Sequence, residues 1–171
     1  MARFKIGDKL IHPVYGVGTL VSIEKQGNDG MAKYYYVIEL SHGEARLTTP
    51  VEKAEELGLR KPISKEHRET LWKLFAGRPR RLEDDYRKRR SSIVDRLREG
   101  SFEEIGGVVR DLVWWRSKRR ANAGDRRLLK RAKELLAEEL AACDGIELGQ
   151  AMERIDNALE RRLSGPEGQE K

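Results

Sequence analysis

Residues 4–24 read FKIGDKLIHPVYGVGTLVSIE, and this stretch decides the character of the N-terminal part. Two strand-like runs, DKLIHP (8–13) and GTLVSIEK (18–25), flank the glycine-bearing turn VYGVG (14–18). Leu, Ile, Val and Thr alternate with polar neighbours at the two-residue period of a half-buried strand. Pro13, Gly16 and Gly18 punctuate the runs, and glycine supplies the positive φ that a tight reversal needs. Working outward, AKYYYVIEL (32–40) and EARLTTP (44–50) repeat the pattern, separated by QGNDG (26–30) and SHG (41–43). Pro50 ends the last run. Four or five short strands in the first 50 residues predict a small, strongly bent antiparallel sheet or barrel.

From Ser64 onward the period turns helical. Ser64 caps a predicted helix reaching about Ala76, with Leu71, Trp72 and Phe75 on one side, and Trp72 is expected in the core between the two parts. GRPRR (77–81) breaks the chain. A second helix is predicted after Asp84 or Asp85, ending near Gly100, and Ser101 with Glu104 forms a capping box for a third reaching about Lys118. RANAGD (120–125) reads as a turn, Asp125 sits early in a fourth helix to Ala142, and DGIELG (144–149) interrupts. A last helix, QAMERIDNALERRL (150–163), places Met152, Ile155 and Leu159 at helical spacing. The expected fold class is α+β. It comprises a β module over 1–60, a connecting helix and linker over 61–80, a helical domain over 81–163, and a disordered tail over 164–171.

Charge separates these parts further. Residues 1–60 carry 8 basic and 8 acidic side chains, whereas residues 78–133 carry 19 basic against 9 acidic. Residues 134–171 reverse the balance, with 4 basic and 10 acidic. A basic block on a folded unit is the footprint of a polyanion, most often nucleic acid. The densest part, DYRKRRSSIVDRL (85–97), sets Arg87, Lys88, Arg89 and Arg90 directly behind Tyr86.

Reactive constellations are missing from the sequence. His12, His42 and His67 have no companion at metal-ligand spacing, and no G-x-x-x-x-G-K-[ST] or G-x-S-x-G occurs. Glu83, Asp84 and Asp85 are better placed to cap a helix than to hold a cation. The single cysteine, Cys143, forms no internal disulfide and fits a reducing compartment. No apolar run approaches the roughly 20 residues of a membrane span. The expectation is a non-enzymatic protein without cofactor, catalytic residues or metal, cytoplasmic and nucleoid-associated, and a monomer.

Residues FKIGDKLIHPVYGVGTLVSIE, TTPVEKAEELGLRKPI, YRKRRSSIVDRLREGSFEEIGGVVRDL and NAGDRRLLKRAKELLAEELA occur in this order between Phe4 and Ala141. In that order and spacing they resemble the CarD-type bacterial RNA polymerase-binding transcription regulators, within a resembling region that reaches about Leu163. The N-terminal module by itself is also similar to the one carried by transcription-repair coupling factors. The resemblance implies a Tudor- or SH3-like module that docks on the polymerase β subunit by strand pairing. It also implies a helical domain on promoter DNA at the upstream edge of the bubble. There an aromatic ring, usually tryptophan, wedges into the minor groove next to the −10 element while basic neighbours hold phosphates, and the open complex is stabilised.

Carried onto this sequence, the resemblance places Tyr86 at the wedge position, Lys88 and Arg89 on basic positions after it, and Arg126 on a further basic position. Arg87 and Arg90 join them on charge alone, and Trp114 or Trp115 is a second candidate for the ring that meets DNA. The other role open to Tyr86 is an aromatic packed on its own domain. For polymerase docking, Tyr34, Tyr36 and Ile38 lie in the longest strand candidate, Tyr34–Leu40, which is expected to supply the pairing edge or pack behind it. Gln26 and Thr48 stand where some members carry arginine. The alternative is a general sequence-nonspecific nucleic-acid-binding protein with Tyr34, Tyr35 and Tyr36 as a stacking platform.

Overall fold

A computed structural model describes residues 3–27, 32–41 and 43–164. The chain forms two compact units, Met1–Pro62 and Ile63–Lys171. The first holds four strands, β1 (Lys9–His12), β2 (Gly16–Gln26), β3 (Lys33–Leu40) and β4 (Arg46–Pro50), in an antiparallel sheet of order β1-β2-β3-β4. Gly16, Gly27 and Gly43 take the left-handed φ expected of their turns. Residues 28–31 and His42, which the sequence assigns to the other two turns, lie outside the described residues. Register shifts between Leu20 and Ser22, and this bulge supplies the sharp bend that lets so small a sheet curl on itself.

Inside the curl, Leu10, Leu20, Tyr36 and Ile38 pack with Phe4, Ala54 and Leu59. Tyr36 is fully buried, and its hydroxyl accepts hydrogen bonds from the backbone N–H groups of Arg3 and Phe4 at 3.0 and 3.3 Å. That pairing satisfies the phenol and ties down the N-terminal arm. A further bridge, Ile11 with Arg60, occupies the outer side of β1.

The second unit holds α1 (Lys65–Ala76), α2 (Tyr86–Glu99), α3 (Phe102–Ser117), α4 (Ala123–Asp144) and α5 (Leu148–Ser164). Side chains of Ser64, Asp85, Ser101 and Asn122 cap the first four, each accepting from a backbone N–H three residues on. Apolar α3 runs through the middle and touches each of the other four helices. Residues 165–171 of the tail expected to be disordered lie outside the described residues; Ser164 ends α5.

Two expectations need correction. The break in the chain falls at Pro62, not at GRPRR, because Leu71 and Phe75 of α1 are buried in the helical core. Trp72 packs on that same core, edge-on to Phe75 at 6.1 Å. The GRPRR segment is also fastened: the Arg80 N–H donates to buried Asp111 at 2.9 Å, and its guanidinium pairs with Glu104. Glu104 therefore turns its carboxylate to Arg80 and Arg96 while Ser101 caps α3. Burial alone would raise the Glu104 carboxyl; Arg96 and Arg80 outweigh it and hold the group below its ordinary value.

Candidate nucleic-acid interface

Asp85 caps α2 by accepting from the Lys88 N–H at 2.9 Å, so the basic run occupies the first helical turn. At 100° per residue, four consecutive side chains cannot share a face. Arg87, Lys88 and Arg90 are exposed, but Arg89 is 4% exposed. Its Nε and Nη2 donate to the two carboxylate oxygens of Asp125 at 3.1 and 3.0 Å. Its Nη1 donates to the Glu83 and Asp84 carbonyls at 2.7 and 3.0 Å. At most one of five N–H groups remains for anything else. Arg89, expected on phosphate, is an internal tie between α2 and α4.

The start of α4 receives that tie. Asn122 and Asp125 form a complete capping box, and Asp125, 1% exposed, closes it with the same oxygen that takes Arg89 Nη2. Between them lies Gly124, also buried. A Cβ added there would fall 3.0 and 3.1 Å from Cε2 and Cζ of Tyr86, and closer still to its hydroxyl oxygen. The Tyr86 ring therefore lies across the first turn of α4 with Arg89 at 5.8 Å from its centroid, and remains 36% exposed. Its tip is packed on its own domain, and the rest of it is at the surface.

The tryptophan pair divides. Trp115 is buried, with Arg89 at 4.8 Å and Arg120 at 3.9 Å from its ring; Trp114 is half-buried, with Lys118 Nζ at 4.4 Å. Arg119 takes a left-handed φ of 57° after the end of α3. This turns Arg120 back over Trp115, where it also pairs with Asp84. Arg126 is exposed and donates to the Ala121 carbonyl. It borders a cleft of about 270 Å³ with Arg116, Lys130 and Lys133, above Leu129 and Met152. Exposed or half-exposed cations thus run from α2 to α4. Among them, Lys118 and Arg120 were not singled out in the sequence, although residues 116–120, RSKRR, contain both.

In the β unit the expected docking residues separate as well. Tyr36 and Ile38 are buried core, so their side chains meet no partner. β3 is paired on both sides and supplies no edge; it packs behind one. Tyr34 is 54% exposed, and Gln26 and Thr48 are exposed. Thr48 lies on β4, whose outer side pairs with no strand among the described residues.

Among the described residues no cluster of His, Cys, Asp or Glu suits a metal ion, and no helix is long and apolar enough to cross a membrane. Burial, then the Asp144 carboxylate, raises the Cys143 thiol above its ordinary pKa, which disfavours the reactive thiolate.

Residues 4–63 match the family model of the CarD-like/TRCF RID domain, and residues 70–156 match that of the CarD C-terminal domain. The chain belongs to the CarD family. A Bacillus subtilis (strain 168) protein named "Putative transcription factor YdeB" is 28% identical over 144 residues, covering 84% of this chain and 94% of that protein. CarD membership with an RID match points to an RNA polymerase-interacting transcription factor, a class that is typically non-enzymatic.

Proposed function

We propose that this CarD-family protein bridges the RNA polymerase β subunit and promoter DNA and stabilises the open complex. The open side of β4 is the feature suited to receiving a polymerase strand, because strand addition needs main-chain groups on an unblocked edge. The helical unit contacts the duplex at the upstream edge of the bubble. Tyr86 meets the opened step, Trp114 lies beside the basic end of α3, and Arg87, Lys88, Arg90 and Arg126 neutralise phosphates. Such contacts position without reading bases, so binding is sequence-tolerant and weakens with salt. A ring at the upstream fork occupies the stacking position that re-annealing requires, and backbone contacts offset the unstacking.

The observation that carries this reading is the surface aromatic at the start of α2 with exposed cations beside it, in a chain whose other unit is charge-balanced. The stacking-platform alternative loses support because Tyr36 is core. The protein is proposed to act as a monomer in the cytoplasm. The test is Tyr86→Ala in a promoter assay with polymerase holoenzyme. Open-complex lifetime should shorten about fivefold or more, the loss of one base–aromatic stack, with polymerase retention unchanged. An unaltered lifetime removes the ring from the mechanism.

A further inference from the structure

We propose that Arg89, Asp125 and Gly124 are positioning residues for Tyr86, delivering its ring to DNA in one fixed orientation; this rests on the wedge reading above. Tyr86 is the first residue of α2, where a side chain has few helical neighbours to restrict it. Here it is restricted from outside its own helix. Arg89, one turn along, is bound bidentately to Asp125, which lies 36 residues away at the start of α4. That pair fixes the distance between the two helix starts, and with it the distance from the ring to Gly124.

The orientation of Arg89 is itself constrained. Two carbonyls before α2 take Nη1, and the ring of Trp115 lies 4.8 Å from its guanidinium carbon. Arg120 stacks on that same indole. Asp125 cannot swing away without opening the capping box that starts α4. The clamp and the helix start are one hydrogen-bonded unit.

Gly124 completes the arrangement. Glycine is the poorest helix former apart from proline, yet it occupies the first turn of a helix 22 residues long. The bare Cα is explained by the ring above it, since any Cβ would displace the tip of Tyr86. A ring already held loses less freedom on meeting DNA than a mobile one, so the arrangement favours the bound state before contact is made.

Gly124→Ala separates positioning from folding, because alanine favours the helix while moving the ring. The full-length variant should keep or raise its melting temperature. Hydroxyl-radical footprinting of the free protein should show Tyr86 about twofold more reactive, since it is already 36% exposed. With holoenzyme on a fork-junction promoter, open-complex lifetime should fall by about fivefold when Tyr86 is present. In a Tyr86→Ala background the same glycine substitution should do nothing, because no ring remains to displace. A more reactive Tyr86 with unchanged lifetime overturns the positioning role and leaves the wedge standing. A defect that persists without the ring overturns it too. No effect of Tyr86→Ala itself removes the wedge and the clamp together.

Discussion

Tyr36 in the β unit and Arg89 in the helical unit each follow a run of side chains that looks like a contact surface, and each is buried. The two units solve this burial differently. In the β unit the phenol is satisfied by two backbone N–H groups, and what stays available outside is the main chain along β4. In the helical unit a cation goes inside against Asp125, and what stays outside is a ring with exposed cations beside it. The first surface offers backbone hydrogen bonds, which are directional and indifferent to salt. The second offers charge, which is neither.

The sharpest way to break this contrast is to remove a cation from inside and one from outside. Arg89→Ala leaves Asp125 buried without its partner and should cost about 3–5 kcal/mol in urea unfolding of the helical unit. Arg90→Ala, one residue on and exposed, should stay within about 0.5 kcal/mol. Equal costs would mean that Arg89 is not an internal tie.

Salt dependence gives a second, smaller separation. Arg87→Gln, Lys88→Gln and Arg90→Gln should each lower the slope of log affinity against log salt by about 1 on promoter DNA. The slope for polymerase binding should not move. A variant that weakens DNA binding with its slope intact would show a contact made through shape or stacking.

The smallest expected effect concerns the network fastening GRPRR. The folded pKa of Glu104 lies below its ordinary value of 4.5, so its contribution is complete above that value and is lost as pH falls through the lower folded one. Glu104→Gln should melt below wild type near neutrality, and the gap should close as the pH falls through the lowered folded value. A gap that holds constant with pH would assign the loss to packing.

Much of the architecture was legible because it depends on local chemistry. Glycine turns bounded the strands, and Ser64, Asp85 and Ser101 announced helix starts that the structure keeps. What could not be read was pairing across the chain. RKRR looks like four surface charges, yet Arg89, Ile93 and Leu97 recur every four residues and share the buried face of α2. The spacing was visible, but the acceptor 36 residues later was not. Likewise KYYYVIEL reads as a candidate for the pairing edge, yet it lies between β2 and β4, and the shorter RLTTP stands at a margin of the sheet. A capping box in NAGD was open to inspection, but nothing local says that the glycine inside it lies beneath a tyrosine.

The outer side of β4 has a consequence for the protein when polymerase is scarce. An unpaired strand is a template for any extended backbone, including that of a second copy. This one is only five residues long, carries exposed Arg46 at its start and closes on Pro50, features that blunt sticking without abolishing it. Concentrated stocks of the lone chain should therefore drift toward joined pairs, and adding the enzyme should dissolve them by competing for the same groove of amides.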